Sequence, residues 1–480
     1  MSDNSSQLEL LLPDRGLLEL VLRGKHDLTY EVLANTRDVC TCLVHAKDVD
    51  PETPSSEAII LRLETTNGNL ERVAAIQSIA ELAIPDLIPH LKELGSTVLQ
   101  SGRKVQYSVT KYIGGCVVLE DIWNTLCAAQ QLEIMSQVVA AMTRLHDLDL
   151  DSAGVQERWH SATKLVTKVP VLGSPSMGFF ADVPTFLAKL VADSASKKDT
   201  SHYGITAVED GVVFGTTDDD DDSTKITFSP EVLTQLKKSR KLCHNDLEPR
   251  NLLVRVKRSK HHNASTGTSK PPSTEDTTTE DSTTEDSTIG DTITENTNTE
   301  NTTTEDSTTE DSITEDSTTE DSTTEDSTTE DSTAEDTTYE LVAILDWEMA
   351  GLFPYSYEYA LKDRELGGAN LYRSWYTLFK THTHPLLLQQ GREEVSEADM
   401  LFMDMLQKIW DKMERRMTRN VGMVFRRRWM QREGMVRGVP AWKGFFEMEG
   451  EGEEEGERKV YGKEDDDALL NEVLVSLGRL

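Results

Sequence analysis

Two early segments of the chain, residues 28–43 and 58–63, are rich in apolar side chains and have the pattern of strands in a small sheet. Residues 69–82 instead repeat apolar side chains every three or four positions, which predicts a helix that Pro85 ends. A further strand is predicted at residues 105–112, just before a Gly-Gly pair. The first part of the chain is therefore expected to be a sheet with one helix.

The rest of the chain has a mostly helical pattern. Helices are predicted at residues 119–128, 132–145 and 398–437, and two strands at residues 251–256 and 339–345. This order indicates an α+β protein with two lobes joined by a short link near Lys111–Gly115. The N-terminal lobe would be a small β-sheet with one helix, and the C-terminal lobe would be larger and mainly helical.

A long polar segment separates the last two predicted strands. Residues 273–338 are built on a Thr-Thr-Glu-Asp-Ser repeat and contain 23 acidic residues but no Lys or Arg. Because the repeat has almost no apolar side chains to bury, it is predicted to be disordered. We interpret residues 257–338 as an insertion in the turn of one hairpin, which is tolerated because the cost of loop closure depends only weakly on length.

These features divide the chain into six parts. We predict an N-terminal extension (1–27), the N-terminal lobe (28–113), a first part of the C-terminal lobe (114–256) with a flexible stretch at 194–227, the disordered insertion (257–338), a second part of the C-terminal lobe (339–440) and an acidic tail (441–480).

The net charge of −36 is carried by the repeat, an Asp run at 218–222 and the tail at 447–467, and the remainder is close to neutral. Solvated acidic tracts keep a chain away from anionic partners, so no nucleic-acid partner is expected. An arginine cluster at Arg415–Arg437 is expected to pair with the acidic tail or the repeat. Contact with nucleic acid or lipid is the alternative.

Cysteine usage and the N-terminus bear on the compartment. Five cysteines at no metal-ligand spacing predict reduced, mostly buried thiols. The first ten residues have neither a basic start nor an uninterrupted apolar core, so no signal peptide is predicted. No apolar run reaches the length of a membrane span. We therefore expect a soluble, cytoplasmic protein with no membrane partner.

The strongest candidate for chemistry is the sequence HNDLEPRN at residues 244–251. An Asp followed by four residues and an Asn has the spacing of a kinase catalytic loop, where the Asp reaches the acceptor hydroxyl and the Asn turns back to a metal ion. The second candidate is Asp346, at the end of an apolar strand, which suits a Mg²⁺ ligand. Asn251 and Asp346 are 95 positions apart, but the insertion accounts for 82 of them.

Three ordered motifs resemble those of the aminoglycoside phosphotransferase/choline kinase family, particularly its fungal members. They are CHNDLEPRN at 243–251, LDWEMAG at 345–351 and PYSYE at 354–358. The resemblance extends over roughly residues 28–380 once insertions are set aside. It implies a two-lobed protein-kinase-like fold and the transfer of a phosphoryl group from ATP, with Mg²⁺, to a small-molecule hydroxyl acceptor.

The resemblance also implies roles for single residues in the C-terminal lobe. Asp246 is the expected general base that orients the acceptor hydroxyl, and Asn251 and Asp346 are the expected Mg²⁺ ligands. His244 is expected to support the loop backbone rather than transfer protons. Glu348 would either contact metal or substrate or lie on the surface.

In the N-terminal lobe, Arg62 takes the place of the phosphate-binding Lys of kinases. Glu71 is the first candidate for its helix partner and Glu81 the second, with solvated charges on an amphipathic helix as the alternative. The candidate phosphate-binding turn holds no glycine, so its backbone amides or Thr36 would approach a phosphate. By family analogy, the adenine would sit against the link at Val109–Tyr112 and pair with its backbone.

Three functions stay open on the sequence. An ATP-dependent O-phosphotransferase is favoured by the complete set of catalytic motifs. A kinase-like protein that binds a nucleotide or small molecule with little or no catalysis is favoured by the turn without glycine and by Arg62. A protein kinase fits less well, because Pro354 and Glu358 follow Asp346 so closely that they leave no room for an activation loop.

Overall fold

The computed structural model describes residues 10–23, 25–47, 56–65, 69–162, 172–194, 203–216, 225–257, 337–388, 393–416, 419–434 and 461–480. The predicted disordered insertion therefore lies almost wholly outside the described residues. The described part is an α+β structure, with antiparallel strands at the N-terminus and helices prevailing in the C-terminal half.

Helix α1 (Arg15–Val21) precedes a five-stranded antiparallel sheet. The strands are β1 His26–Asn35, β2 Val39–Lys47, β3 Ser56–Thr65, β4 Leu91–Val98 and β5 Lys104–Lys111. Their order in the sheet is β1-β2-β3-β5-β4. The predicted strand region 28–43 is a hairpin of β1 and β2. Strand β4 was not predicted, because most of its side chains are only partly buried and it lacks a clear apolar alternation.

The predicted helix after the third strand is present as α2 (Leu70–Ala83), and a short 3-10 turn begins at Pro85. Strand β3 buries the alternate side chains of Ile59, Leu61 and Leu63 on one face of the sheet. This alternation leaves Arg62 on the opposite face.

The N-terminal extension contributes to the core beneath the sheet. The Asp14 carboxylate accepts a hydrogen bond from the Leu17 amide at 2.8 Å and so caps α1. Leu11, Leu17 and Leu18 are buried in the same apolar cluster as the β3 side chains. Part of the predicted extension, from residue 11 onward, is thus integral to the N-terminal fold.

From residue 117 onward, the described chain forms helices and short strands around a second apolar cluster, which also includes side chains of α2. The helices are α3 Leu119–Ile122, α4 Ala128–His146, α5 Ala153–Ala162, α6 Val183–Ser194, α7 Pro230–Lys238, α8 Tyr355–Glu365, α9 Arg373–Thr383, α10 Glu397–Arg416, α11 Val421–Arg432 and α12 Lys463–Ser476. The short strands are β6 Val117–Val118, β7 Leu172–Ser174, β8 Gly178–Phe180, β9 Tyr203–Val208, β10 Gly211–Thr216, β11 Ile226–Phe228, β12 Arg240–Cys243, β13 Leu252–Lys257, β14 Thr338–Ile344 and β15 Gly351–Pro354.

Strands β13 and β14 confirm the predicted interrupted hairpin. They pair antiparallel from Leu252 with Ile344 to Lys257 with Thr338, so the two end residues of the predicted insertion face each other across the ladder. The end of β14 therefore lies beside the start of β13. This brings Asp346, just after β14, close to Asn251, just before β13.

The stretch predicted to be flexible, residues 194–227, is in part a small sheet. Strands β9, β10 and β11 pair antiparallel, and Phe214 is completely buried. The prediction was wrong for these strands because each is short and the Asp run between the last two hides their apolar pattern. Residues 195–202 and 217–224, which include that Asp run, lie outside the described residues.

The predicted acidic tail contains helix α12, which packs on α11. Leu469 packs against the buried cluster of Leu366, Tyr376 and Trp429. Arg432 pairs with Asp466 at 2.6 Å and lies over the Tyr461 ring at 4.2 Å from its centroid. Part of the tail is thus packed against the protein rather than solvated. The ion pair of Arg432 with Asp466 confirms the expected pairing of the arginine cluster with the tail. Arg426, in contrast, is buried and donates to the Leu366 carbonyl oxygen at 2.7 Å.

Two further expectations concern the membrane and the cysteines. Among the described helices, none combines the length and the apolar content that crossing a bilayer requires. All five cysteines are free thiols, and Cys40, Cys42 and Cys243 are buried, whereas Cys127 is exposed.

Candidate functional site

The candidate catalytic loop connects β12 to β13 and brings two of the predicted site residues together. The Asn251 side-chain nitrogen Nδ2 donates to Asp246 Oδ2 and to the Asp246 carbonyl oxygen, both at 2.8 Å. Asn251 lies in a 3-10 turn that begins at Pro249. The spacing of four residues between the Asp and the Asn is thus the length that lets the loop turn back on itself.

The third predicted residue, Asp346, lies beside this loop. The amide of Leu345 donates to the Asn251 carbonyl oxygen at 2.8 Å. His244 Nε2 lies 2.8 Å from the Leu345 carbonyl oxygen. The segments that carry Asp246, Asn251 and Asp346 are therefore hydrogen-bonded to one another, although the sequence separates them widely.

Asp346 adopts a left-handed backbone conformation, with φ of 57°, at the end of β14. An Asp tolerates this region better than most residues because its short polar side chain forms local hydrogen bonds. Here the side chain is not used locally: Asp346 Oδ1 is buried and accepts no hydrogen bond. The strained position therefore presents an unsatisfied carboxylate oxygen beside the catalytic loop.

The electrostatic surroundings of Asp346 favour a cation. Burial, together with repulsion from Glu348, raises the pKa of Asp346 to about 6, despite the opposing effect of Arg62. The Asp246 carboxylate adds to the repulsion. A bound cation would relieve the repulsion between these buried carboxylates and compensate for their lost solvation.

Arg62 reaches this acidic group from strand β3. Its guanidinium lies 2.8 Å from Glu348 Oε2, 2.8 Å from Glu64 Oε1 and 3.7 Å from Asp346 Oδ1. The predicted helix partners do not pair with it. Glu71 is exposed in the first turn of α2.

The second candidate helix partner, Glu81, forms a different ion pair. Its Oε2 lies 3.1 Å from Arg158 Nη1 and its Oε1 lies 3.9 Å from His90 Nδ1. The prediction that Arg62 pairs with a glutamate of α2 was therefore wrong. Its acidic partners come from its own strand and from the turn after β14, because the outward face of β3 points towards that turn.

Thr36 and Tyr112 are both engaged in the N-terminal sheet. Thr36 Oγ1 accepts from the Val39 amide at 3.0 Å and donates to the Val39 carbonyl oxygen at 3.2 Å, so it closes the β1–β2 turn. The Tyr112 amide donates to the Ala58 carbonyl oxygen at 3.3 Å. The Thr36 hydroxyl and the Tyr112 amide are thus already hydrogen-bonded within the sheet in this structure.

His244 has the supporting geometry that was expected of it. The Asp246 amide donates to His244 Nδ1 at 3.3 Å, while Nε2 faces the Leu345 carbonyl oxygen. Burial lowers the pKa of His244 to about 4, so the imidazole is neutral near neutral pH. Its ring also packs edge-on against Trp347. A neutral, fully enclosed imidazole joins the two motifs rather than exchanging protons.

Arg250 is a site residue that the sequence reasoning missed. Its Nη2 lies 2.5 Å from Asp246 Oδ1, and its Nη1 donates to the Ala369 carbonyl oxygen. The two Asp246 carboxylate oxygens are thus engaged by Arg250 and Asn251. Arg250 lies four positions after Asp246, so its place in the same short loop was the signal for this pair.

A buried ionic group beneath the loop was also missed. Lys362 lies 2.8 Å from Glu248 and 2.7 Å from Glu365, and both Lys362 and Glu248 are 1% exposed. Burial alone would lower the pKa of Lys362, but the two carboxylates outweigh it and the net shift is upward. Lys362 and Glu365 lie in α8, shortly after the third motif. The motif therefore pointed to this helix but did not reveal these ion pairs.

The oxygen-rich set beside the loop fits a hard divalent cation. Asp346 offers a carboxylate oxygen without a hydrogen bond. Asn251 donates to Asp246 through its side-chain nitrogen, so its side-chain oxygen is left to bind a metal ion. Mg²⁺ prefers carboxylate and carbonyl oxygens and retains several waters. The residues present therefore suit the predicted ion.

No model of a known protein family matches the chain, and no curated protein matches its sequence. The resemblance of the three motifs to the aminoglycoside phosphotransferase/choline kinase family therefore stays a prediction.

Proposed function

We propose that this chain is an ATP-dependent O-phosphotransferase, with the two-lobed arrangement of protein-kinase-like enzymes, that acts on a hydroxyl group of a small molecule. The observation that carries the proposal is the meeting of Asp246, Asn251 and Asp346 within one hydrogen-bonded unit. This is the minimal set for phosphoryl transfer, which depends mainly on positioning and on neutralising charge.

Asp246 is the residue proposed to orient the acceptor hydroxyl and take its proton. Arg250 and Asn251 fix the carboxylate from two sides, so its direction is set before a substrate arrives. A carboxylate has about four acceptor sites, so each of these oxygens retains a lone pair for the incoming hydroxyl. The two donors thus position the base without using all of its acceptor capacity.

Asn251 and Asp346 are proposed to hold Mg²⁺, with Glu348 beside them. When bound, Mg²⁺ and ATP supply the transferable phosphoryl group and the neutralisation of its charge. Arg62 is already held next to these carboxylates by Glu64 and Glu348. Its planar guanidinium is suited to bidentate contact with phosphate oxygens, so we assign it to the phosphate chain.

A cleft of about 1050 Å³ next to the catalytic loop is proposed as the acceptor site. Helix α3, which forms one side of the cleft, contacts the 3-10 turn that contains Arg250. The carboxylates on its walls outnumber the cations, which favours an acceptor that carries an amine beside its hydroxyl. The charged lining residues are Glu120, Asp121, Arg373, Glu433, Lys463, Asp466 and Asp467.

A second candidate function is nucleotide binding without transfer. Two observations favour it: the β1–β2 turn has no glycine, and Arg250 lies against the carboxylate that must accept a proton. In this alternative, ATP binds with Mg²⁺ but no acceptor is phosphorylated.

Transfer of radiolabelled phosphate from ATP to a panel of hydroxylated metabolites tests the proposal. The panel should contain amino alcohols and amino sugars, each with its N-acetylated counterpart as the matched control for charge. We expect labelled product with at least one amine-bearing acceptor, and its loss in Asp246→Asn. The absence of any acceptor-dependent or Asp246-dependent ATP consumption, with binding of ATP retained, would favour the second candidate.

A further inference from the structure

A second group of potential metal ligands lies on the other side of the catalytic loop. It comprises His146 at the end of α4, Cys243 at the end of β12 and Glu358 in the first turn of α8. One ligand atom from each residue lies within 4.8 Å of the other two, and all three side chains are buried. Three elements far apart in the sequence thus bring an imidazole, a thiol and a carboxyl group together.

Glu358 is a buried carboxyl group that lacks a direct ion pair among the described residues. It is 1% exposed, and its Oε1 accepts a hydrogen bond from the Asn245 amide at 2.8 Å. The nearest cation, Lys362, lies within ion-pair distance of Glu248 and Glu365 instead. Burial raises the pKa of Glu358 above its ordinary range. A cation at this place would add to the attraction of Lys362 and offset the cost of burying the carboxylate.

His146 and Cys243 supply donor atoms of the kinds that zinc uses. Burial, with a smaller contribution from Lys241, lowers the pKa of His146 to about 3, so its ring nitrogen lone pair stays available near neutral pH. The Cys243 thiol is buried, and the Phe353 carbonyl oxygen lies 3.7 Å from its sulfur atom. Burial raises the pKa of this thiol, and the neighbouring Glu358 carboxyl group raises it further. A bound cation would exchange that thiol proton for a metal bond.

We propose that His146, Cys243 and Glu358 form a zinc-type metal site. The nitrogen, sulfur and oxygen donor set matches the ligands of protein zinc sites, which hold the ion with three or four protein groups. With Cys243 and Glu358 both ionised, their two negative charges balance the charge of the ion. The proton of the thiol passes to solvent when the metal binds. This inference does not rest on the proposed phosphotransfer.

One residue of the group, His146, also borders a cleft. The cleft has a volume of about 1060 Å³, and His146 and Tyr355 form part of its wall. The Tyr355 ring packs on the His146 imidazole with 4.7 Å between centroids, and the Lys241 ammonium donates to the His146 carbonyl oxygen at 2.7 Å. These contacts fix the orientation of the imidazole, as the outer shell of a metal site does.

A metal at this site would stabilise the candidate catalytic loop through the hydrogen bond between Glu358 and Asn245. The carboxyl group of Glu358 that would bind the ion also holds the amide of Asn245, which directly precedes Asp246. Asn245 has a positive φ of 63°, so its backbone needs such support. A metal at Glu358 would therefore hold Asn245 in this conformation and raise the stability of the folded chain.

The full chain, purified without a histidine tag and stripped with a chelator, is the sample for the test. Zinc is titrated while the melting temperature is followed, and zinc bound per chain is measured by elemental analysis. We expect one zinc per chain, a higher melting temperature and, with Co²⁺ in its place, a thiolate charge-transfer absorption. MgCl₂ in place of zinc is the control for the ion and should give none of these effects.

Cys243→Ser and His146→Gln should lose the cobalt absorption and the zinc-dependent stabilisation. Cys127→Ser, which changes an exposed thiol, should keep both. If the core variants do not fold, the cobalt absorption of the wild type and of a double variant Cys116→Ser/Cys127→Ser decides. A wild-type chain that binds no stoichiometric zinc, or a cobalt absorption that the double variant abolishes, would overturn the site.

Discussion

Arg62 and Glu348, 286 positions apart in the chain, form an ion pair with 2.8 Å between Nη2 and Oε2. The pair joins the outward face of β3 to the turn after β14. It places the Arg62 guanidinium next to Asp346, with 3.7 Å between Nη1 and Oδ1. Arg62 partly neutralises Asp346 in this structure, and under the proposed function it would contact the phosphates of a bound nucleotide.

Replacing Arg62 with Ala should weaken ATP binding more than it slows turnover. We expect the KM for ATP to rise about tenfold, which corresponds to ~1.4 kcal/mol of binding free energy. Steady-state kinetics, or isothermal titration with ATP and Mg²⁺, measures this change. Arg15→Ala is the matched control, because it opens an exposed ion pair with Glu19 far from the site. An unchanged ATP affinity in Arg62→Ala would show that Arg62 does not bind the phosphates.

Asp346 should make stability depend on pH in a defined direction. Its pKa in the folded protein is about 6, above the ordinary value of 3.8, so the folded state holds the extra proton between these values. Ionisation of Asp346 therefore lowers stability as the pH rises through 6. An Asn at this position fits the positive φ and removes the charge. Asp346→Asn should melt at a higher temperature than the wild type at pH 8.

The stabilisation by Asp346→Asn should shrink as the pH falls below 6 and approach zero only below about pH 3.8, where the carboxyl group is protonated in the unfolded chain as well. Calorimetry at several pH values measures both melting temperatures. Asp210→Asn, which changes an exposed carboxylate in the turn between β9 and β10, is the control and should show no comparable pH dependence. A variant that is less stable than the wild type at pH 8 would contradict the account of a desolvated, repelled carboxylate.

The buried pair of Lys362 and Glu248 should be essential for folding stability. Lys362→Met leaves Glu248 and Glu365 without their cation in a buried place, which costs about 3–5 kcal/mol. Urea unfolding of both proteins measures the difference. Lys189→Ala, which opens a partly exposed pair with Asp193, is the control and should change stability by less than about 1 kcal/mol. A loss in Lys362→Met as small as in the control would show that the buried pair contributes little.

The interrupted hairpin predicts that the repeat is dispensable for folding. Because Lys257 pairs with Thr338, residues 258–337 can be replaced by an Asn-Gly dipeptide, which favours the tight turn of a two-residue hairpin. The shortened protein should melt cooperatively, within a few degrees of the full chain. Loss of a cooperative transition would mean that the repeat is more than a long connection.

The parts of the site that were predictable from sequence are those set by local spacing. Asp246 and Asn251 lie in one short loop, so their meeting follows from a turn of fixed length. Asp346 was placed beside them because the hairpin interpretation returned the chain to the start of β13. Both inferences needed only strand pairing and the removal of a segment that has nothing to bury.

The partners of charged side chains were not predictable in the same way. Glu71 was expected beside Arg62 because it lies on the nearest helix, but the direction in which β3 presents Arg62 selects Glu64 and Glu348. Lys362 was missed because a buried lysine looks in sequence like any polar position of an amphipathic helix. Such choices depend on three-dimensional packing, which a pattern of residue types does not encode.

The most direct test of the account is the melting temperature with ATP in the presence and absence of Mg²⁺. If Asn251 and Asp346 hold Mg²⁺ with ATP, the wild type should be stabilised by ATP and MgCl₂ together, by about 2.7 kcal/mol at a hundredfold excess over Kd. Stabilisation should be absent with ATP and EDTA, lost in Asp346→Asn and Asn251→Ala, and kept in Asp246→Asn. Stabilisation by ATP that needs no metal, or that persists in the Asp346 and Asn251 variants, would contradict the central claim.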